Sequence, residues 1–307
     1  MVTYNSEDVI EACIAALRQH APEVRVVVVD NASADGTVAR AKATGAEVIA
    51  NRENRGFAGA VNQGFRAVDT EILLVMNPDV RIQTGLGPLE AAARKHGVAG
   101  GVLTNEAGAV QAGFTIRRFP TPTVLSLEFL GINRLWPGNP WNRHYRYQNW
   151  DLSRGGTVDQ PAGAFLMIRR DVWANLGGMD EQFYPIWFED VDFCKRATDA
   201  GCQIQFVPEA KAEHVGGHSI HRMEECHRQV QWYDSLLRYT AKHFRPASYG
   251  VVTLAGALGA FPRMVVGLIQ ERSLRPIGCF FNILSLLGNR LVSRPPSGQS
   301  KRPGSEY

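Results

Sequence analysis

Residues 24–29 read Val-Arg-Val-Val-Val-Val and stop at Asp30. A short, β-branched apolar run of this kind fits a strand buried on both faces, as in parallel sheets covered by helices. Its carboxyl end meets Asn31, Ala32 and Ser33, residue types that favour turns. Ligands in open α/β sheets bind beyond the carboxyl ends of the strands, so this run predicts a fold class and the edge where a site belongs. Apolar segments 46–50 and 72–76 alternate with helical patterns at 7–18, 36–44 and 57–68. That alternation predicts βαβ units and a mostly parallel sheet. The opening Val2-Thr3-Tyr4-Asn5 carries only a fragment of strand, so the first strand is expected to be truncated.

Composition sets the outer limits. With 307 residues, 45% hydrophobic and 21% charged, the chain can bury a sizeable core and is neither a disordered tail nor a disulfide mini-protein. Its five cysteines are scattered with no Cys-x-x-Cys pair, which points to a reducing compartment and away from structural zinc. Residues 242–307 hold nine Lys or Arg against Glu271 and Glu306, a net +7, whereas residues 1–241 carry −4. These cations punctuate apolar stretches instead of forming a polar stripe, a pattern that fits an anionic membrane surface better than nucleic acid. A helical pair packed on the domain is the plainer alternative. No spanning helix is expected, because Pro262 and Arg263 interrupt the apolar run 249–261 and 277–287 is too short.

The stretch 119–157, with Pro120, Pro122, Pro137 and Pro140 among many aromatic residues, reads as a long surface loop or lid. Beyond it come a buried strand at 164–168, a short helix at 189–200 and a long helical pattern at 220–243. The expected organisation is an α/β domain over 1–245, a basic apolar helical segment over 246–292 and a disordered tail over 293–307.

Several residues can carry chemistry. Asp30, at the mouth of a buried sheet, can accept hydrogen bonds from a ribose hydroxyl or a base N–H, or can simply begin a turn. Asp35-Gly36-Thr37 reads as a turn and helix start. Gly56-Phe57-Ala58-Gly59-Ala60 opens a helix with small residues that let backbone N–H groups approach a phosphate, flanked by Arg55 and Asn62; close helix packing would leave the same trace. Glu189-Asp190-Val191-Asp192 follows Trp187-Phe188 and opens another helix. Crowded carboxylates beside an aromatic wall raise a pKa toward that of a general base, although acids in a first helical turn are also a routine dipole effect. His214 and His218 bracket Gly216-Gly217.

Taken together, Val2-Thr3-Tyr4-Asn5, Val28 to Thr37, Asn54 to Asn62, Asn77-Pro78-Asp79 and Phe188 to Asp192 resemble family 2 glycosyltransferases, in particular the bacterial rhamnosyltransferase-like branch. The resemblance covers about residues 1–245 and rests on five motifs in the family's order. It implies a GT-A fold, a nucleotide-sugar donor, a divalent cation (Mg²⁺ or Mn²⁺) and inversion at the anomeric carbon; the basic apolar segment that follows is expected, from its composition, to form a C-terminal helical, membrane-associated appendage. Donor contacts are expected from Thr3, Tyr4, Asn5, Asp30, Asn31, Arg55, Gly56, Phe57, Asn62 and Asn77. Asp79 stands where relatives carry the second acid of an Asp-x-Asp pair, with Asn77 in place of the first, and His214 stands where a histidine completes the metal site. Asp190 is expected as the base, with Glu189 as acceptor ligand or alternative base and Asp192 paired with Arg196. The branch implies L-rhamnose from dTDP-rhamnose and a cell-envelope polysaccharide or polyprenyl-linked acceptor, and the basic C-terminal segment fits an acceptor handled in the cytoplasm at the inner membrane face. Two readings compete: a hexosyl, N-acetylhexosaminyl or galactofuranosyl transferase with the same machinery, and a catalytically weak sugar-nucleotide-binding scaffold.

Overall fold

The computed structural model describes residues 1–216 and 223–292; His218 and the expected tail over 293–307 lie outside the described residues. The chain divides into two units, Met1–Phe119 with Arg143–Met223, and Pro120–Asn142 with Glu224–Tyr307. The helical unit therefore starts at Glu224 and not at residue 246, and it takes in a segment from the middle of the sequence.

In the first unit, β1 (Val2–Thr3), β2 (Val27–Asp30) and β3 (Glu47–Ala50) form a parallel sheet in the order β1-β2-β3. Helices α1 (Ile10–His20) and α2 (Thr37–Ala43) supply the crossovers, and α3 (Gly56–Ala67) leads from β3 to the next sheet. Val28 packs with Ile10, Ile14 and Ala41, whereas Val27 and Val29 pack with Ala60. The four-valine run is thus buried on both faces, as its composition requires.

A second sheet contains β4 (Ile72–Met76), β5 (Val80–Ile82), β6 (Gly97–Thr104), β8 (Gly156–Thr157), β10 (Phe165–Arg169) and β11 (Gln203–His214). Its order is β4-β10-β6-β11-β5, with β8 beside β11. This sheet is mixed: β10 runs antiparallel to β4 and β6, and β11 runs parallel to β6 and antiparallel to β5. Alternate residues of β10 feed two cores, Leu166 and Ile168 one of them, Phe165 and Met167 the other, the two-residue period of a strand covered on both sides. Helix α4 (Gly87–His96) leads into β6, β7 (Ile116–Arg117) pairs with β9 (Gln160–Pro161), and α8 (Arg170–Asn175) and α9 (Glu189–Asp199) follow β10.

The stretch expected to be a lid is not a loop. It folds as α5 (Pro122–Phe129), α6 (Ile132–Leu135) and α7 (Pro140–Tyr145). Pro122 sits in the first turn of α5, where its missing N–H has no helical partner to lose, and Thr121 caps that turn by accepting from Val124 N at 3.3 Å.

The second unit is built on α10 (Glu225–His243), α11 (Pro246–Glu271) and α12 (Arg275–Val292). Phe129 of α5 packs its ring on Tyr233 and Trp232 of α10. Gly259 of α11 lies so close to α5 that a Cβ there would stand 1.9 Å from the Phe129 carbonyl oxygen, so only glycine permits this helix contact. The interruption expected at Pro262 does not occur: α11 runs through it, and Pro262 lies on the exposed side. The helix is long and apolar enough to cross a membrane by length and composition.

Candidate active site

Three clusters gather at the carboxyl edges of the strands in the first unit. At the end of β2, the buried Asp30 carboxylate accepts from Thr3 Oγ1 (2.8 Å), Ser33 N (2.9 Å) and Ser33 Oγ (2.5 Å). Asn5, with φ of 50°, donates its N–H to Ser33 Oγ at 2.8 Å and accepts from Ala34 N at 2.8 Å. Asn31 donates to the Gly56 carbonyl at 3.0 Å and accepts from Asn51 Nδ2 at 3.1 Å. Thr3, Asn5, Asp30, Asn31, Arg55 and Gly56 therefore form one connected turn system, Arg55 entering it through its backbone N–H to Asn31 Oδ1 at 3.4 Å. Tyr4 and the Arg55 side chain are exposed, and Phe57 packs against the core.

Asn62 departs from the donor role expected of it. Its amide donates to the Met179 carbonyl (2.8 Å) and Glu181 Oε1 (3.0 Å) and accepts from Met179 N (2.9 Å), the two bonds to Met179 being buried. It is a buried tether for the segment that leads to α9.

The second cluster joins β5 to β11. Antiparallel pairing sets His214 opposite Val80, and this places His214 Nε2 3.6 Å from Asp79 Oδ1. Both residues are buried. Gln111 clamps the histidine twice, donating from Nε2 to its carbonyl at 2.8 Å and facing Nδ1 with Oε1 at 3.1 Å. Because Oε1 is an acceptor, Nδ1 carries the proton and the Nε2 lone pair points at the carboxylate. Phe114 stacks on the ring at 5.0 Å with planes 9° apart. Burial lowers the imidazole pKa, with Asp79 pulling the other way. Two acceptors facing each other at this distance fit a divalent cation between them, since ligands about 2.1 Å from one ion span such a gap. Among the described residues, no group of three or more His, Cys, Asp or Glu is placed to hold a metal. Asp79 and His214 would leave the remaining coordination positions to water and ligand oxygens.

The third cluster heads α9. Trp187 and Phe188 both have left-handed backbone, with φ of 79° and 69°, a conformation that costs non-glycine residues energy and concentrates at functional sites. They turn the chain so that Glu189, Asp190 and Asp192 fall in the first helical turn. Asp190 Oδ2 accepts from Gly163 N at 2.9 Å and Oδ1 from Val191 N at 2.8 Å. Glu189 is buried, and its Oε2 has no hydrogen-bond partner. Desolvation, reinforced by the charge of Asp190, raises its pKa well above the usual carboxylate value. Asp192 pairs with Arg196 Nε at 2.7 Å, and that guanidinium also donates to the carbonyls of Leu176 and Gly178, each at 2.9 Å. Arg196 and Asn62 thus secure the same segment from opposite sides, and the Pro185 carbonyl then accepts from Phe57 N at 2.8 Å, joining the approach to α9 to the start of α3.

A family model described as Glycosyl transferase family 2 matches residues 1–176, more than half of the sequence. The chain belongs to that family. A second model, described as the N-terminal domain of galactosyltransferase, matches residues 144–225, which include the acids of α9. This family 2 glycosyltransferase is 28% identical over 275 residues to N-acetylglucosaminyl-diphospho-decaprenol L-rhamnosyltransferase of Mycobacterium tuberculosis, covering 78% of this chain and 87% of that protein. It is 23% identical over 189 residues to a rhamnosyltransferase of Escherichia coli, covering 59% and 66%. Its fold matches a mannosyltransferase from Pyrobaculum calidifontis solved with GDP-Man and Mn²⁺ (TM-score 0.54, 14% identity, 95% of this chain and 85% of the other). It also matches GalNAc-T7, solved with UDP, GalNAc and Mn²⁺ (TM-score 0.52, 14% identity, 69% of this chain), of which it spans 42%. These likenesses establish the GT-A fold.

Residues that the sequence did not flag also contact these clusters. Gln111, Phe114, Gly163 and Glu181 act through partners 27 to 119 positions away in the chain. None lies in a local motif, and only the paired strands bring them to the site.

Proposed function

We propose that the enzyme transfers L-rhamnose from dTDP-rhamnose to a polyprenyl-diphosphate-linked sugar or nascent envelope glycan, with inversion and with a divalent cation. The observation that carries the cation-dependent part is the facing of Asp79 Oδ1 and His214 Nε2 at 3.6 Å across β5 and β11. Such an ion would neutralise charge on the departing nucleoside diphosphate. The donor and acceptor classes are supported by the extent of similarity to the mycobacterial rhamnosyltransferase, which spans 87% of that protein.

Asp190 is the base in this reading. Two backbone N–H groups fix both its oxygens and so orient the carboxylate toward the acceptor hydroxyl whose proton it takes. Glu189, whose pKa burial and that neighbouring charge raise, is the hydrogen-bond donor to a sugar hydroxyl in this reading. Two adjacent carboxyls with opposed environments divide base and donor roles between them. The turn system of Thr3, Asn5, Asp30, Asn31 and Gly56 shapes the nucleoside pocket, Tyr4 and Arg55 supply its exposed contacts, and Asn77 lines the approach to Asp79. The site works in the cytoplasm, where nucleotide sugars are available.

Calorimetric titration with dTDP, UDP, GDP and their sugars, each with Mn²⁺ and with EDTA, tests this reading. Cation-dependent binding of dTDP-rhamnose, followed by transfer to a polyprenyl-linked acceptor, is the expected result. Selective binding of UDP or GDP would replace the donor while leaving the machinery in place, and binding indifferent to EDTA would remove the cation from the scheme.

A further inference from the structure

The most exposed apolar surface of the helical unit lies along α11. Val251, Leu254, Leu258, Phe261 and Ile269 are each 57% to 71% exposed, and their spacing of three, four, three and eight residues keeps them on one face of the helix. From Val251 to Ile269 that face is about 27 Å long at 1.5 Å per residue. The stripe continues onto α12, where Phe280 touches Phe261 with ring centroids 6.3 Å apart and the exposed Phe281 follows at 5.5 Å. Continuous exposed apolar area of this extent marks an interaction surface.

The ends of the stripe carry positive charge. Arg245 precedes α11, and Arg272 and Arg275 occupy its turn into α12, all three exposed, against the single acid Glu271 over residues 242–292. An apolar face between cationic ends matches the headgroup region of an anionic bilayer.

The other side of α11 shows why the helix does not cross that bilayer. Tyr249, Val252, Ala255, Gly256, Gly259 and Ala260 are buried. Arg263, midway along the lipid-length segment, donates to Tyr233 Oη at 2.6 Å and to the Glu128 carbonyl at 2.8 Å. The neighbouring α10 and α12 are joined by Asp234, which accepts from Arg238 at 2.9 Å and from Arg290 at 2.7 Å. A spanning α11 would have to strip away these partners or take their charges into hydrocarbon, which is expensive.

We propose that α11 lies flat in the headgroup region of an anionic lipid surface, with Leu254, Leu258 and Phe261 inserted and Arg245, Arg272 and Arg275 on lipid phosphates. The inference deepens the reading of a lipid-linked acceptor and is tested by vesicle binding, which does not depend on turnover. The full chain is floated with phosphatidylcholine vesicles and with vesicles containing phosphatidylglycerol, beside the variant L254D/L258D/F261D, whose side chains are already exposed, and R245Q/R272Q/R275Q. Expected are preferential binding to the anionic vesicles, release by alkaline carbonate, a loss of about 100-fold or more in the apolar variant, and a smaller, salt-sensitive loss in the charge variant. Circular dichroism and cation-dependent nucleotide binding of both variants should match the parent. Three results would overturn the proposal: equal flotation of the apolar variant, retention until detergent is added, or a dimer in solution that the apolar variant dissociates without any vesicle binding by the parent. Loss of donor binding in the parent would count against the transferase reading alone.

Discussion

Gly163 donates its backbone N–H to Asp190 Oδ2 at 2.9 Å, and the next residue, Ala164, accepts from Asn77 N at 3.1 Å. Two consecutive residues therefore connect the carboxylate assigned as base to the turn that presents Asp79. A Cβ on Gly163 would stand 2.8 Å from Asp190 Cβ and 3.0 Å from Oδ2. Gly163→Ala should displace the carboxylate and lower kcat by about 10-fold or more, with donor affinity unchanged. Steady-state kinetics beside calorimetric donor binding check the split.

Replacing the acids should separate their roles. Asp190→Asn removes the proton acceptor and should lower turnover by about 100-fold or more, with nucleotide binding retained. Glu189→Gln keeps a hydrogen-bond donor of the same shape and should stay within about 10-fold of the parent, whereas Glu189→Ala should fall further. A Gln variant as inactive as Asp190→Asn would make Glu189 the base.

The raised pKa of Glu189 carries a stability signature. In acid, both native and unfolded chains hold the proton. As pH rises past the ordinary carboxylate value, the unfolded chain releases it while the native site retains it, so native stability declines. Glu189→Gln escapes this loss. Its melting temperature should match the parent's near about pH 4 and exceed it by several degrees near about pH 8. Thermal melts at the two pH values measure the difference.

Gln111 sets the tautomer that exposes the His214 lone pair. Gln111→Leu should weaken Mn²⁺ binding in the presence of dTDP by about 10- to 100-fold, and His214→Ala or Asp79→Ala should weaken it further. Electron paramagnetic resonance of free Mn²⁺ reads all three variants.

Much of this was legible in the sequence, for identifiable reasons. The valine run ending at Asp30 and the acids heading α9 carry their signal within a few residues, so strand, turn and helix start followed directly. The partnership of Asp192 with Arg196 is an i, i+4 pair on one helix face and was equally readable. Asn62 is ambiguous in the sequence because its small-residue surroundings fit both a phosphate approach and tight packing, and its contacts with Met179 and Glu181 come from distant sequence. The segment 119–157 reads as a lid because prolines break helices, whereas Pro122 sits at a helix start that tolerates it. A helix–helix contact such as Gly259 on Phe129 leaves no mark in local composition, so the joining of segment 120–142 to the C-terminal helices is not legible in the sequence.

Pairing β5 with β11 has a consequence for biosynthesis. The two members of the cation pair are contributed by strands whose paired residues, such as Val80 and His214, are separated by most of the first unit, and contacts so distant in sequence close late in folding. A ribosome-bound chain that has not yet emerged past His214 holds Asp79 without its counterpart. On the proposed reading, capture of a cation between the two residues waits until β11 has paired with β5.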